Sequence, residues 1–104
     1  MGIFSFLSFG NQYIKQYLLR GAIIIDVRSP AEYDRGKIRG SLNIPSDQVA
    51  GNAVHIRSKN KPVIIVGTGD TRNSDAKRIL KEKGISDILD GGHWEKLLRI
   101  IQAL

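Results

Sequence analysis

Gly67-Thr68-Gly69-Asp70-Thr71-Arg72 is the stretch of this chain best equipped for chemistry. It combines conformational freedom, hydroxyls and paired charge within a few residues. It follows Pro62-Val-Ile-Ile-Val66, an unbroken apolar run, and precedes a segment in which Ala76, Ile79 and Leu80 recur at helical spacing. A strand, a tight loop and a helix are therefore expected in that order. The two glycines let backbone N–H groups converge, the helix adds its positive N-terminal end, and Arg72 offers a bidentate donor fork. Together these make a seat for a small oxyanion. A plain strand-to-helix turn with helix-capping residues accounts for the same letters, so both readings stand.

Named motifs narrow the choice. A nucleotide P-loop needs a second glycine followed by Lys and Ser or Thr, and the stretch has neither. A dinucleotide fingerprint needs a third glycine where Arg72 stands; Asp87 and Asp90 do lie near the expected ribose-binding position, but a bulky Arg at the helix–strand contact argues against it. Thr68, Thr71 and Ser74 are weak nucleophile candidates, since neither His55 nor His93 is close in sequence to activate them. A second candidate cluster, Asp26 and Arg28, follows the apolar run Ala22–Ile25. In open parallel sheets, ligands sit beyond the carboxyl ends of strands, which makes these two residues a pocket rim. A carboxylate beside an arginine can equally tie loops together without touching a ligand, and this structural role is the preferred one.

Composition excludes other chemistry. The chain of 104 residues contains no cysteine, so disulfides and cysteine-ligated metals are ruled out. His55 and His93 have no metal-binding spacing, and no metal or other cofactor is expected. Lys and Arg number 16 against 10 Asp and Glu, a formal charge of +6 that favours anionic partners. The densest basic group, Lys77, Arg78, Lys81 and Lys83, reads as a solvated helix face. It lacks the interleaved aromatics of a stacking platform, so nucleic acid is not the expected partner. Residues 1–10 form an apolar arm, too short for a membrane span and without a basic leader. They are read as a packing arm, with a weak surface anchor as the alternative. Gly2 is not in a myristoylation motif, because Phe6 occupies the Ser or Thr position. A cytoplasmic location is the default.

Strands and helices alternate along residues 11–104. Asn11 onward is helical, with Ile14, Tyr17 and Leu18 on one face and Gly21 as the stop. Ser29-Pro30-Ala31-Glu32 is a capping box with proline at the first helical position, and Gly36 ends that helix. A brief strand is expected around Ser41–Ile44. Ser46 should cap a second helical stretch interrupted near Gly51-Asn52. Ile85–Leu89 reads as the last strand, Asp90-Gly91-Gly92 as a turn, and Trp94, Leu97, Leu98 and Ile101 as the inner face of a final helix. Trp94 is read as core rather than as a ligand platform. Two strands apolar throughout imply a mostly parallel sheet covered on both faces.

Asp26-Val-Arg-Ser-Pro-Ala-Glu-Tyr33, Gly36-Lys-Ile-Arg-Gly-Ser-Leu-Asn-Ile-Pro45, the strand Pro62–Val66, the helix ending at Gly84 and Gly91-Gly92 with Trp94 resemble the rhodanese-like domain family from about Asn11 to Leu97. The resemblance implies a single α/β domain with about five parallel strands flanked by helices. It also implies thiosulfate or persulfide sulfur transfer through a loop of the form C-x-x-G-x-R-S. In that alignment the nucleophile position is Gly67, the family's glycine is Asp70, its serine is Asn73, and Arg72 alone of the marked residues remains. Sulfur transfer needs a polarizable thiolate, which glycine cannot supply. Asp70 moreover sets a negative charge at the mouth of the loop. The expectation is therefore a non-catalytic binding or regulatory module whose partner is a protein or a small oxyanion. The alternative is a sulfurtransferase-related enzyme that borrows a partner's cysteine.

Overall fold

Alternating side chains from two buried strands build the centre of the molecule. The computed structural model describes the backbone of residues 2–104 and the side chains from Asn11 onward. Strand β1 (Ile23–Asp26) and strand β3 (Val63–Gly67) lie side by side, β2 (Leu42–Asn43) flanks β1, and β4 (Ile88–His93) flanks β3. The order β2-β1-β3-β4 is parallel throughout, with Ile25 opposite Leu42 on one side and opposite Ile65 on the other. All five residues of β3 are buried, which accounts for the unbroken apolar run: both faces of this strand are covered.

The period of two divides the core. Ile25, Val63, Ile65 and Ile88 face helices α3 (Val49–Ser58) and α4 (Thr71–Glu82), meeting Val49, Ala53, Ile56, Ala76 and Leu80. Ile24, Ile64, Val66 and Leu89 face the other way, toward Ile14, Tyr17 and Leu18 of α1 (Gly2–Leu19) and Leu97 of α5 (Trp94–Gln102). Between β1 and β2 lies the short helix α2 (Pro30–Arg35), started by the predicted capping box: Ser29 Oγ accepts from Glu32 N, and Glu32 Oε1 accepts from Ser29 N.

Several expectations are corrected. Among the described residues the sheet has four strands rather than about five. The first helix begins at Gly2 rather than Asn11, while the packing expected of the side chains of residues 1–10 lies outside the described residues. Ser46 does not cap: it opens a single 3-10 turn, Ser46–Gln48, that runs into α3 without a break at Gly51-Asn52. The last strand starts three residues later than predicted and ends four later, at His93. Ile85 instead closes the end of α4, its N–H bonded to Leu80 O. Asp90-Gly91-Gly92 belongs to β4 because Gly91 passes so close to β3 that a β-carbon there would lie 2.8 Å from Ile64 Cγ2. Among the described residues, no helix is long and apolar enough to cross a membrane.

Candidate functional site

At the carboxyl end of the sheet, the predicted six-residue loop is shorter than its sequence implies. Gly67 is the last residue of β3 and Thr71 is the first of α4, leaving Thr68, Gly69 and Asp70 as the connection. Gly69 adopts φ of +75°, the left-handed region that makes glycine necessary there. Asp70 is the N-cap of α4: its Oδ1 accepts from Arg72 N at 3.0 Å. Its Oδ2 accepts from Thr68 Oγ1 at 2.7 Å, and Arg72 Nε lies 3.2 Å from the same oxygen. The protein's own carboxylate thus sits where the loop's donors converge. The Thr68 hydroxyl and then the Arg72 guanidinium lower the Asp70 carboxyl to about 2.

Arg72 spans two loops. Its Nη1 donates to Glu32 Oε1 at 2.8 Å and its Nη2 to Thr68 Oγ1 at 3.1 Å. Glu32 closes the α2 capping box and binds Arg72 with the same Oε1 atom. The Arg72 hydrogen bond, followed by the backbone N–H of Ser29, brings the Glu32 carboxyl down to about 2. The two carboxylates, Glu32 first, push the Arg72 guanidinium up. Sequence reasoning found Arg72 and Asp70 but missed Glu32, whose capping signal gives no hint of a contact 40 residues away.

Asp26 and Arg28 form a buried pair beneath this surface, 0% and 4% exposed. Arg28 Nη2 donates to Asp26 Oδ2 at 2.7 Å and to Gly36 O at 2.7 Å, and Nη1 donates to Glu32 O at 3.1 Å. The guanidinium lies 4.4 Å from the Trp94 ring centroid, a cation–π contact. Asn43, another residue sequence reasoning missed, donates to Asp26 O and Arg28 O and fastens β2 to this turn. Through these contacts the end of β1 is joined to the backbone of Glu32 and Gly36. Trp94 packs against the α1–α5 side of the core while also walling an open depression of about 280 Å³ with Arg28, Glu32, Arg35, Thr68 and His93.

Gly67 faces an occupied space. A β-carbon on it would lie 2.5 Å from Asn73 Oδ1 and 3.2 Å from Val27 Cγ2. Asn73 is 1% exposed, its Nδ2 donates to Asp90 Oδ1 and Gly92 O, both at 3.0 Å, and its Oδ1 has no hydrogen-bond partner. Thr71 stands at the start of α4, where its carbonyl accepts from Ser74 Oγ. Among the described residues, no group of three or more His, Asp or Glu side chains is placed to hold a metal ion.

The fold and loop define an α/β domain whose candidate site lies where β1 and β3 end. The sequence model of the Rhodanese-like domain matches residues 11–95, which include every strand above and the whole Gly67–Arg72 loop, and the chain belongs to that family. It is 37% identical over 75 residues to the uncharacterized protein YqhL of Bacillus subtilis, covering 70% of this chain and 59% of that protein. It is 32% identical over 69 residues to thiosulfate sulfurtransferase PspE of Escherichia coli, covering 65% of this chain and 66% of that protein. The chain therefore spans less than two thirds of the length of either relative. A solved rhodanese with anions from E. coli superimposes with a TM-score of 0.64 at 29% identity, covering 71% of this chain and 88% of that one.

Proposed function

We propose that this chain is a non-catalytic rhodanese-like module that recognises a protein partner or a small oxyanion at the carboxyl edge of its sheet. The observation that carries the reading is the absence of any cysteine in a chain whose family position for the nucleophile is Gly67. A thiolate must attack the outer sulfur of a donor and hold it as a persulfide. A hydrogen in place of that side chain cannot, and the sole sulfur in the sequence is a methionine thioether.

The recognition surface consists of Gly67, Thr68, Gly69, Asp70, Thr71 and Arg72, with the rim given by Arg28, which holds the Glu32 and Gly36 carbonyls, and by Asp26, which holds Arg28. Arg72 is the cation offered to a ligand. Glu32 and Asp70 now occupy its donors, so an oxyanion binds by exchange with one of these carboxylates. The weak, exchangeable grip that follows suits a sensor or docking module better than a catalyst.

The test is release of thiocyanate from thiosulfate and cyanide by the purified protein. No turnover above the enzyme-free rate is expected, and measurable turnover by the chain alone would refute the reading. Turnover that appears only with an added thiol-bearing protein would favour the alternative in which a partner lends its cysteine.

A further inference from the structure

We infer that Asn73 seals the position where this fold would seat a nucleophile, so that Gly67 and Asn73 form a matched pair and neither can be exchanged alone for a residue of different size. The inference rests on the proposed non-catalytic site and specifies what keeps that site closed.

The separation of 2.5 Å between Asn73 Oδ1 and a β-carbon built on Gly67 is shorter than real β-carbon contacts allow. It applies to alanine, serine and cysteine alike, since each begins with the same carbon. Relief by rotation of Asn73 is blocked at the other end of its carboxamide. Nδ2 bridges Asp90 Oδ1 and Gly92 O, and Asp90 Oδ1 also accepts from Gly92 N at 2.9 Å. Flipping the amide would turn its oxygen toward a carboxylate and a carbonyl, two acceptor–acceptor contacts in place of two hydrogen bonds. The orientation is thus imposed from the β4 side, even though it leaves Oδ1 buried without a donor. An unpaired buried acceptor is unfavourable, and its persistence here reflects the strength of the opposite anchor.

Serine at position 73 is shorter than asparagine and would vacate the space beside Gly67. A thiol at position 67 consequently requires both changes. The decisive experiment is a thermal double-mutant cycle on the full chain with Gly67→Ala, Asn73→Ser and the double variant. Gly67→Ala should lower the melting midpoint by about 5 °C or more. In the Asn73→Ser background the same alanine should have little further effect. Strict additivity of the two shifts would overturn the inference.

A second readout uses Gly67→Cys with and without Asn73→Ser, mixed with thiosulfate and followed by intact mass. The Cys thiolate would attack the outer sulfur, the sulfur–sulfur bond of thiosulfate would break, and sulfite would leave with the bonding electron pair. The protein would then be one sulfur atom heavier. Loading is expected only in the double variant, and equal loading of Gly67→Cys alone would again overturn the inference. Thermal coupling without loading in either variant would keep Asn73 as the seal and refute the anion-admitting loop. Thiosulfate turnover by the unmodified chain would refute the non-catalytic reading while leaving the cycle intact.

Discussion

Arg72 Nη1 meets Glu32 Oε1 at 2.8 Å, joining the second residue after the α4 cap to the residue that completes the α2 cap. The two helix starts are thereby locked to each other across the mouth of the sheet, with Asp70 held on the other side of the same guanidinium.

Acid should loosen this lock. The folded carboxyls of Glu32 and Asp70, each lowered to about 2, lie below their ordinary values of 4.5 and 3.8. A depressed folded pKa contributes stability that is complete above the unfolded value and is lost as pH falls through the folded one. The melting midpoint should accordingly decline from about pH 5 toward pH 2. Glu32→Gln should flatten the part of that decline that belongs to Arg72 pairing. Superimposable midpoint–pH curves for Glu32→Gln and the parent would show that the pairing does not persist in solution. Both groups are largely solvated, so the effect should shrink with added salt.

The buried pair should matter more than the surface one. Asp26→Ala would leave the Arg28 guanidinium 4% exposed without its carboxylate, and breaking one side of a buried ion pair costs about 3–5 kcal/mol. For a domain of this size that is a large share of a total of about 5–15 kcal/mol. Urea unfolding of Asp26→Ala against the parent checks it. A loss below about 1 kcal/mol would mean that Gly36 O, Glu32 O and the Trp94 ring suffice to hold Arg28.

Which of these contacts could be read from the letters follows from their range. Ala22–Ile25 and Pro62–Val66 announce central strands because burial on both faces leaves a continuous apolar run. Ser29–Glu32 announces a helix start because a capping box is complete within four residues. The letters set β4 too early because Gly91-Gly92 imitates a turn, whereas Gly91 is small so that β4 can close on Ile64 and Val66. Arg72 and Asp70 stood out by type within a glycine-rich loop. Their partner Glu32 did not, since a salt bridge across 40 residues leaves no local pattern, and Asn73 showed only as a departure from the loop pattern, without the contact it makes beside Gly67.

Gly36 tests the aromatic wall of the depression. A β-carbon there would lie 2.9 Å from Trp94 Cη2, while the φ of 171° is ordinary extended backbone, so steric contact alone sets the outcome. Gly36→Ala should cost about 1–3 kcal/mol of stability and shift the tryptophan fluorescence, because the ring must move off Arg28. An unchanged emission spectrum with full stability would show that Trp94 has room to yield without disturbing the cation–π contact.

Asp70→Asn gives the sharpest test of the loop as an anion seat. Asparagine caps a helix about as well as aspartate, so the start of α4 and the conformation of Thr68–Asp70 should survive. What changes is charge. The parent loop presents Arg72 with its own carboxylate already in place, and an arriving oxyanion meets repulsion from Asp70 as well as competition for the same donors. Removing one unit charge about 4 Å from the binding cation should strengthen sulfate or thiosulfate binding about fivefold or more at low salt, with the gain fading as ionic strength rises. Titration of the backbone amides of Gly67 to Arg72 by NMR measures this directly. Saturable shifts that tighten in Asp70→Asn would establish the seat. Identical affinities would mean that Asp70 does not compete for it. Flat titrations in both proteins would leave Arg72 as a tie between two helix caps and move the search for a ligand to the Trp94 depression.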